Sequence, residues 1–197
     1  MSDRPTKERI LDAAEQIMLE KSFHSVGLNE ILKAVGVPKG SFYHHFESKE
    51  QFGVEMLKHY VADASAFKRR VLLSTEPEPN PRLRLLTYLE TTIGRFSEHG
   101  GKCPCLVIKL ASEVANFSDP MRQVLADGQH EWGGILEQAI REGIEKGVIR
   151  ETRDPAALAR LLGSLWTGAM QSAIIARSAE PLREAYTVIA EDLLTEP

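Results

Sequence analysis

Three helix breakers fall within five positions at residues 36–40, where the chain reads Gly-Val-Pro-Lys-Gly. Breakers at this density mark a tight turn. On its N-terminal side lies a short stripe, Leu28, Ile31, Leu32 and Val35, at the i, i+3, i+4, i+7 spacing of one helix face. A longer stripe precedes it, with Ile10, Ala14, Ile17 and Met18. On its C-terminal side comes Ser-Phe-Tyr-His-His-Phe, then Ser48 with Gln51 three residues on. That pair reads as a capping box opening a new helix. Helix, short helix, tight turn and short helix is a helix-turn-helix. In this order Phe42 and Phe46 are expected in a small core with Ile10, Leu28 and Ile31.

The remainder is also punctuated as helices. The segment 75–82 has three prolines in eight residues and reads as a loop. Helical patterning resumes from about Leu83 to Glu98, breaks at His-Gly-Gly-Lys-Cys-Pro-Cys, and returns in Leu-Val-Ile-Lys-Leu-Ala-Ser-Glu-Val. Ser118-Asp119-Pro120 ends one helix and starts a long one reaching Lys146. Asp154-Pro155 is an N-cap followed by proline at the first helical position. Residues 156–177 make the most apolar helix, and Pro181 opens the last. No segment shows strand periodicity. The fold class expected is all-α, about nine helices, with residues 1–50 as one domain and 51–197 as another.

A hydrophobic content of 43% supports a real core, and no apolar run reaches transmembrane length. The charged start Met-Ser-Asp-Arg-Pro-Thr-Lys shows no apolar signal segment, and two cysteines fit a reducing compartment. A cytoplasmic protein with no membrane partner is the expectation. The formal net charge is −4, and residues 1–50 carry seven Lys and Arg against eight Asp and Glu. Contact with DNA must then come from locally arranged donors, not from a bulk positive field.

The start of the third helix has such donors. The second helix of a helix-turn-helix enters the major groove, and its N-terminal residues reach base edges and phosphates. Here these are Lys39, Gly40 and Ser41, followed by Tyr43 and His44. Lysine supplies a cation, glycine lets the backbone approach closely, and the hydroxyls and imidazole donate hydrogen bonds. Lys49 opens the next helix, whose N–H groups also suit an anion. Adjacent His44 and His45 lack metal-ligand spacing, so no metal is expected.

The run Gly36-Val37-x-Lys39-Gly40-x-x-Tyr43-x-His45-Phe46-x-Ser48-Lys49 resembles the signature of the TetR family of transcriptional repressors, within about 45 matching residues. The resemblance implies a nine-helix, two-domain subunit. It implies a homodimer through the last two helices, a palindromic DNA operator, and repression relieved by a ligand in the C-terminal domain. It adds Gly27 and Asn29 at the start of the second helix to the DNA-facing set. Many members have a phosphate-touching threonine where this chain has Gly27. Symmetric dimerisation would set two reading heads about 34 Å apart. Leu162, Leu165, Ala169, Ile189 and Leu193 are the interface candidates on the last two helices.

The family's ligand pocket lies among the helices between the linker and the eighth helix. Its candidates here are Phe96, Cys105, Ile108, Lys109, Trp132, Leu136, Trp166 and Met170. The stretch from His99 to Arg122, with Arg177 to Leu182, resembles the branch holding the N-ethylmaleimide-reductase repressors and the acrylate-responsive repressors. Several of its members respond to reactive electrophiles or small unsaturated molecules. Cys105-Leu106 falls on that branch's cysteine-leucine at the start of the sixth helix. Three positions depart from it: Cys103 is additional, Pro104 replaces a frequent glycine, and Ile174 stands where the reductase repressors carry lysine.

Chemistry gives Cys105 two readings that the residues leave open. A cysteine at a helix start, with Lys109 one turn on, is favoured as the thiolate that attacks electrophiles and oxidants. The same residue also serves as a small packing side chain, and Lys109 has Glu113 as an alternative partner at i+4. Cys103 is the candidate resolving thiol. A Cys-x-Cys metal site has no second ligand cluster, and pairing Cys105 with His99 or His130 gives no ordered catalytic group. No cofactor and no enzymatic activity are expected. The alternatives are a repressor with a reversible small-molecule ligand and no thiol chemistry, and more remotely a helical interaction module without DNA.

Overall fold

The computed structural model describes residues 5–102 and 105–197. Among them are nine α-helices and no strand: α1 Thr6–Glu20, α2 Leu28–Val35, α3 Lys39–His45, α4 Lys49–Leu73, α5 Pro81–Glu98, α6 Leu106–Val114, α7 Asp119–Glu145, α8 Pro155–Ala176 and α9 Glu180–Val188. A π-helical turn, Ile189–Leu193, continues α9. No helix among the described residues is long and apolar enough to cross a membrane.

Local chemistry explains most of the boundaries. Gly36 ends α2 with φ +66°, the left-handed conformation that costs glycine least, and its N–H bonds back to the last turn. Ser48 accepts from the Gln51 N–H at 3.0 Å while Gln51 accepts from the Glu47 N–H at 3.2 Å, so the expected box caps α4. Asp154 caps α8 by accepting from the Ala157 N–H. One boundary moves. α5 begins at Pro81, not Leu83, because Asn80 accepts from the N–H groups of Arg82 and Leu83 and Pro81 occupies the first helical position.

The chain divides into two compact units, and the division does not follow the expected boundary at residue 50. The first unit takes α1 to α4 as far as Asp63, together with Cys105–Gly128. The second takes α4 from Ala64, then α5, then α7 from Gln129 onward with α8 and α9. The reason lies in the first unit's core. Ile10, Ala14, Met18, Phe23, Ile31, Phe42, Phe46 and Phe52 form one cluster with Leu106, Leu110 and Val114 of α6 and Met121 of α7. The Phe42 ring lies 4.9 Å from Phe46 and 5.3 Å from Phe52. Gly53 belongs to this packing. A Cβ there would lie 2.7 Å from the Phe23 ring and 2.8 Å from Met121, so the helix approaches as closely as it does because the residue has no side chain.

The second unit is centred on Leu85, Leu89, Phe96, Leu136, Ile140, Leu158, Leu162, Trp166, Met170, Leu182 and Ile189. Arg84 is buried beside them. It donates to the carbonyls of Leu72 and Glu78 and pairs with the Glu142 carboxylate, which satisfies a charge that burial would otherwise penalise.

Where α1 meets α4, Glu15 stands beside His59, Asp12 and Asp63, and one of its carboxylate oxygens is buried without a hydrogen-bond partner. Burial pushes the Glu15 carboxyl up to about 7, reinforced by Asp12 and Asp63 and opposed by His59. For His59, burial pulls downward, but the 3.0 Å hydrogen bond to Asp12 and the nearby Glu15 and Asp63 raise its pKa on balance. Both shifts are upward, so the folded state holds more protons than the unfolded one, and stability falls as pH rises. For Glu15 the window runs from its ordinary 4.5 to about 7. Glu15→Gln removes this contribution. The unfolding midpoint of the wild type should drop relative to the variant between pH 5 and pH 7; parallel midpoints across that range would contradict it.

Candidate DNA-reading head and cysteine-capped helix

The helix-turn-helix presents one polar face. On α3, Lys39, Gly40, Tyr43 and His44 are exposed, Ser41 is half-buried and Phe42 faces the core. Lys39 and Tyr43 are four residues apart and share a helix face, as do Gly40 and His44. Tyr43 is 57% exposed, unusual for a large aromatic with a buried neighbour. Its ring meets Phe42 edge-on, with centroids 5.5 Å apart. At Gly40 a Cβ would meet nothing within 4 Å. Internal packing therefore does not ask for glycine there. Gly27 caps α2 with its carbonyl, which accepts from the Glu30 N–H at 3.0 Å, and Asn29 is exposed in the first turn.

The Lys49 side chain has a role of its own, beside the backbone donors expected at the start of α4. Its ammonium donates to the Val26 carbonyl at 2.9 Å and the His24 carbonyl at 3.4 Å, and lies 5.0 Å over the Phe23 ring. The side chain closes the α1–α2 loop from within, which leaves the backbone at the start of α4 as the outward-facing donor.

Cys105 is the N-cap residue of α6, in extended conformation, with its side chain half-buried. The helix starts at Leu106, whose N–H donates to the Tyr60 hydroxyl at 3.1 Å. Cys103 and Pro104 lie outside the described residues. Leu106, Leu110 and Val114 form the buried stripe of α6. Lys109 and Glu113 lie on another face, and each reaches a different stretch of backbone. The Lys109 ammonium donates to the Leu19 carbonyl at 2.6 Å, and a Glu113 carboxylate oxygen accepts from the His24 N–H at 2.9 Å. The last turn of α1 and the loop before α2 are thus held from α6. Two further ties were not visible in the sequence: Arg9 donates to the Val35 carbonyl at the end of α2, and Ser118 donates to Glu50 at the start of α4. Residues 68 to 90 positions apart make three of these four ties, and no local pattern signals such partners.

The expected pocket residues divide between the units. Cys105, Ile108 and Lys109 belong to the first; Phe96, Trp132, Leu136, Trp166 and Met170 belong to the second. Phe96, Leu136, Trp166 and Met170 are buried core. Trp132 is half-buried, 5.6 Å from Tyr88, with the Lys68 ammonium 4.6 Å over its ring. Among the described residues no group of three or more His, Cys, Asp or Glu is placed to hold a metal.

The interface candidates also separate. Leu162 and Ile189 are fully buried in the subunit's own core and have no surface to give a partner. Leu165, Ala169 and Leu193 are partly exposed. The outer face of α8 instead carries Leu161, Leu165, Gly168 and Ile175, with Ile175 85% exposed, and α9 adds Val188.

Residues 10–56 match the model of bacterial regulatory proteins of the tetR family, and residues 81–189 match the tetracyclin repressor-like C-terminal domain. The chain belongs to the TetR family: it is a DNA-binding transcriptional regulator with an N-terminal helix-turn-helix and a helical C-terminal domain. Within the family it is NemR-like. It is 38% identical to the HTH-type transcriptional repressor NemR of Escherichia coli K12, over 98% of this chain and 96% of that protein. The crystal structure of the reduced form of E. coli NemR superposes with a TM-score of 0.90, covering 98% of each chain. The HTH-type transcriptional repressor DhaR of a Mycobacterium species is 33% identical over 98% of this chain and 95% of that one. Regulators of this family bind DNA and act as dimers.

The inward role of Lys49 has a direct check. Lys49→Met removes the donor from two loop carbonyls and should cost about 0.5–1.5 kcal/mol of stability, read from the urea midpoint. An unchanged midpoint with weakened DNA binding would show that the side chain acts on DNA and not on the loop.

Proposed function

We propose that this chain is a homodimeric repressor of a palindromic operator, released when an electrophile modifies Cys105. The observation that supports it is the position of Cys105. The residue caps α6, and the next two turns of that helix hold α1 and the α1–α2 loop through Lys109 and Glu113. A relative whose crystal structure is described as a reduced form adds a redox context.

The reading head is α3. Lys39 meets a base edge or phosphate, Ser41, Tyr43 and His44 donate to the DNA, and Gly40 permits close approach of the backbone. Gly27, Asn29 and the start of α4 add contacts with phosphate. The exposed apolar stripe of α8 with Val188 of α9 supplies the partner surface, which also removes Ile175 from water.

The chemistry at Cys105 is a conjugate addition. Its sulfur attacks the activated carbon of an unsaturated carbonyl, a C–S bond forms, the C=C π bond breaks, and the proton passes to the adjacent carbon. The new group sits at the helix cap, where it displaces α6 from its packed position. Lys109 and Glu113 carry that displacement to the α1–α2 loop. Modification releases DNA only if the modified protein prefers the non-binding arrangement.

Two experiments follow. The double variant Lys39→Ala plus Tyr43→Ala should lose about tenfold or more in operator affinity in a gel shift, as expected for losing hydrogen bonds to charged phosphate. Gly40→Ala should weaken binding without lowering the melting temperature. Affinity unchanged in the double variant would sink this reading head. Separately, an operator gel shift is titrated with N-ethylmaleimide, quinones and hypochlorite. The wild type should release DNA and Cys105→Ser should retain it. Retention by the wild type under all three would replace the thiol sensor with a reversible ligand.

A further inference from the structure

Within the second unit, α4 and α5 enclose a cleft of about 200 Å³. Phe67 and Val71, four residues apart, form one wall, and Thr87, Tyr88, Thr91, Thr92 and Arg95 form the other, along a single face of α5. None of these seven belongs to the set expected to line the ligand pocket. The cleft is smaller than the usual pocket for a drug-sized molecule, roughly 300–1,000 Å³, so its occupant is a single ring or a short chain.

Its electrostatics are specific. The Arg95 guanidinium lies 5.5 Å from the centroid of Phe67, and the Arg70 guanidinium is at the same distance from the same ring. Among the described residues neither arginine has a carboxylate within ion-pair distance, whereas Arg69, one residue from Arg70, pairs with Glu131. Two cations thus share one aromatic ring with no anion between them. A guanidinium is a planar fork of donors that fits a carboxylate bidentately. The Thr92 hydroxyl already donates to the Tyr88 carbonyl and keeps lone pairs free, while Thr87 and Thr91 present exposed hydroxyls.

We propose that the α4–α5 cleft is a binding site for a small organic monocarboxylate, its apolar body between Phe67 and Val71 and its carboxylate on Arg95, with Arg70 beside the same ring adding to the positive field that draws the anion in. The mostly apolar walls disfavour inorganic phosphate, which needs donors on more sides. A neutral analogue makes no charge-assisted hydrogen bond with the exposed Arg95 guanidinium. The site does not involve Cys105 and stands whether or not that thiol reacts.

Isothermal titration calorimetry on the full chain tests it, with benzoate as the probe, benzamide as its neutral counterpart, and inorganic phosphate as an anion without an apolar body. Benzoate should bind, with benzamide and phosphate weaker by about tenfold or more, the scale of a lost charge-assisted contact. Arg95→Gln should weaken benzoate by a similar factor, Arg95→Lys should retain part of the affinity, and Cys105→Ser should leave it unchanged. Equal binding of benzamide, equal binding of phosphate, no effect of Arg95→Gln, or no benzoate heat at all would each overturn the proposal. Loss of benzoate binding in Cys105→Ser would place the ligand at the thiol and overturn it too.

Discussion

The apolar stripe of α6 enters the same core as the helix-turn-helix, and the geometry of the first unit depends on that shared burial. Leu106, Leu110 and Val114 are buried among Met18, Phe23, Phe42 and Phe52. Each such side chain contributes about 1.5–3 kcal/mol when removed from water. The core of the small reading head, built on Ile10, Met18, Phe23, Ile31, Phe42 and Phe46, is completed by α6, which comes well after it in the chain. Any event that moves α6 therefore acts on the packing of the DNA-reading helices directly.

Polar ties add direction to that packing. Lys109 and Glu113 hold backbone on either side of the α1–α2 turn, and Lys49 closes the same turn from α4. Hydrogen bonds involving charged groups are short-ranged and sensitive to geometry. Packed cores move between discrete arrangements more readily than they deform smoothly. A cap residue at the start of a nine-residue helix is well placed to select between two such arrangements, because the helix is too short to absorb a displacement by bending.

Several features were legible in the residues because their causes are local. The Gly36 turn, the Ser48–Gln51 box and the Asp154 cap each depend on neighbours within four positions. The buried roles of Phe42 and Phe46 follow from helical spacing. Other features were not legible. Lys49 reads only as a helix start whose backbone N–H groups suit an anion, and the contacts of its side chain depend on Phe23, Val26 and His24 lying beside it. Asn80 does not read as a cap in sequence, because three prolines nearby make the whole segment read as loop. On α8 the pattern is apolar over more than one face, so it does not say which face is inner. Packing against α9 buries Leu162 and Ile189 and leaves Leu161 and Ile175 outside.

By itself, then, the amino-acid sequence determines an all-helical chain, the helix-turn-helix with its Lys39–Tyr43 face, and a cysteine at the start of α6. Helical period, caps and breakers act over a few residues and carry that information directly. Only the tertiary structure decided that α6 belongs to the reading head's core, that Lys109 and Glu113 grip the α1–α2 turn instead of each other, and that Arg70 and Arg95 meet at one phenylalanine. Apart from Arg70 on Phe67, within one turn of α4, these side-chain contacts join residues 28 to 90 positions apart. Their geometry is set by which apolar faces find each other, and that depends on the whole chain at once.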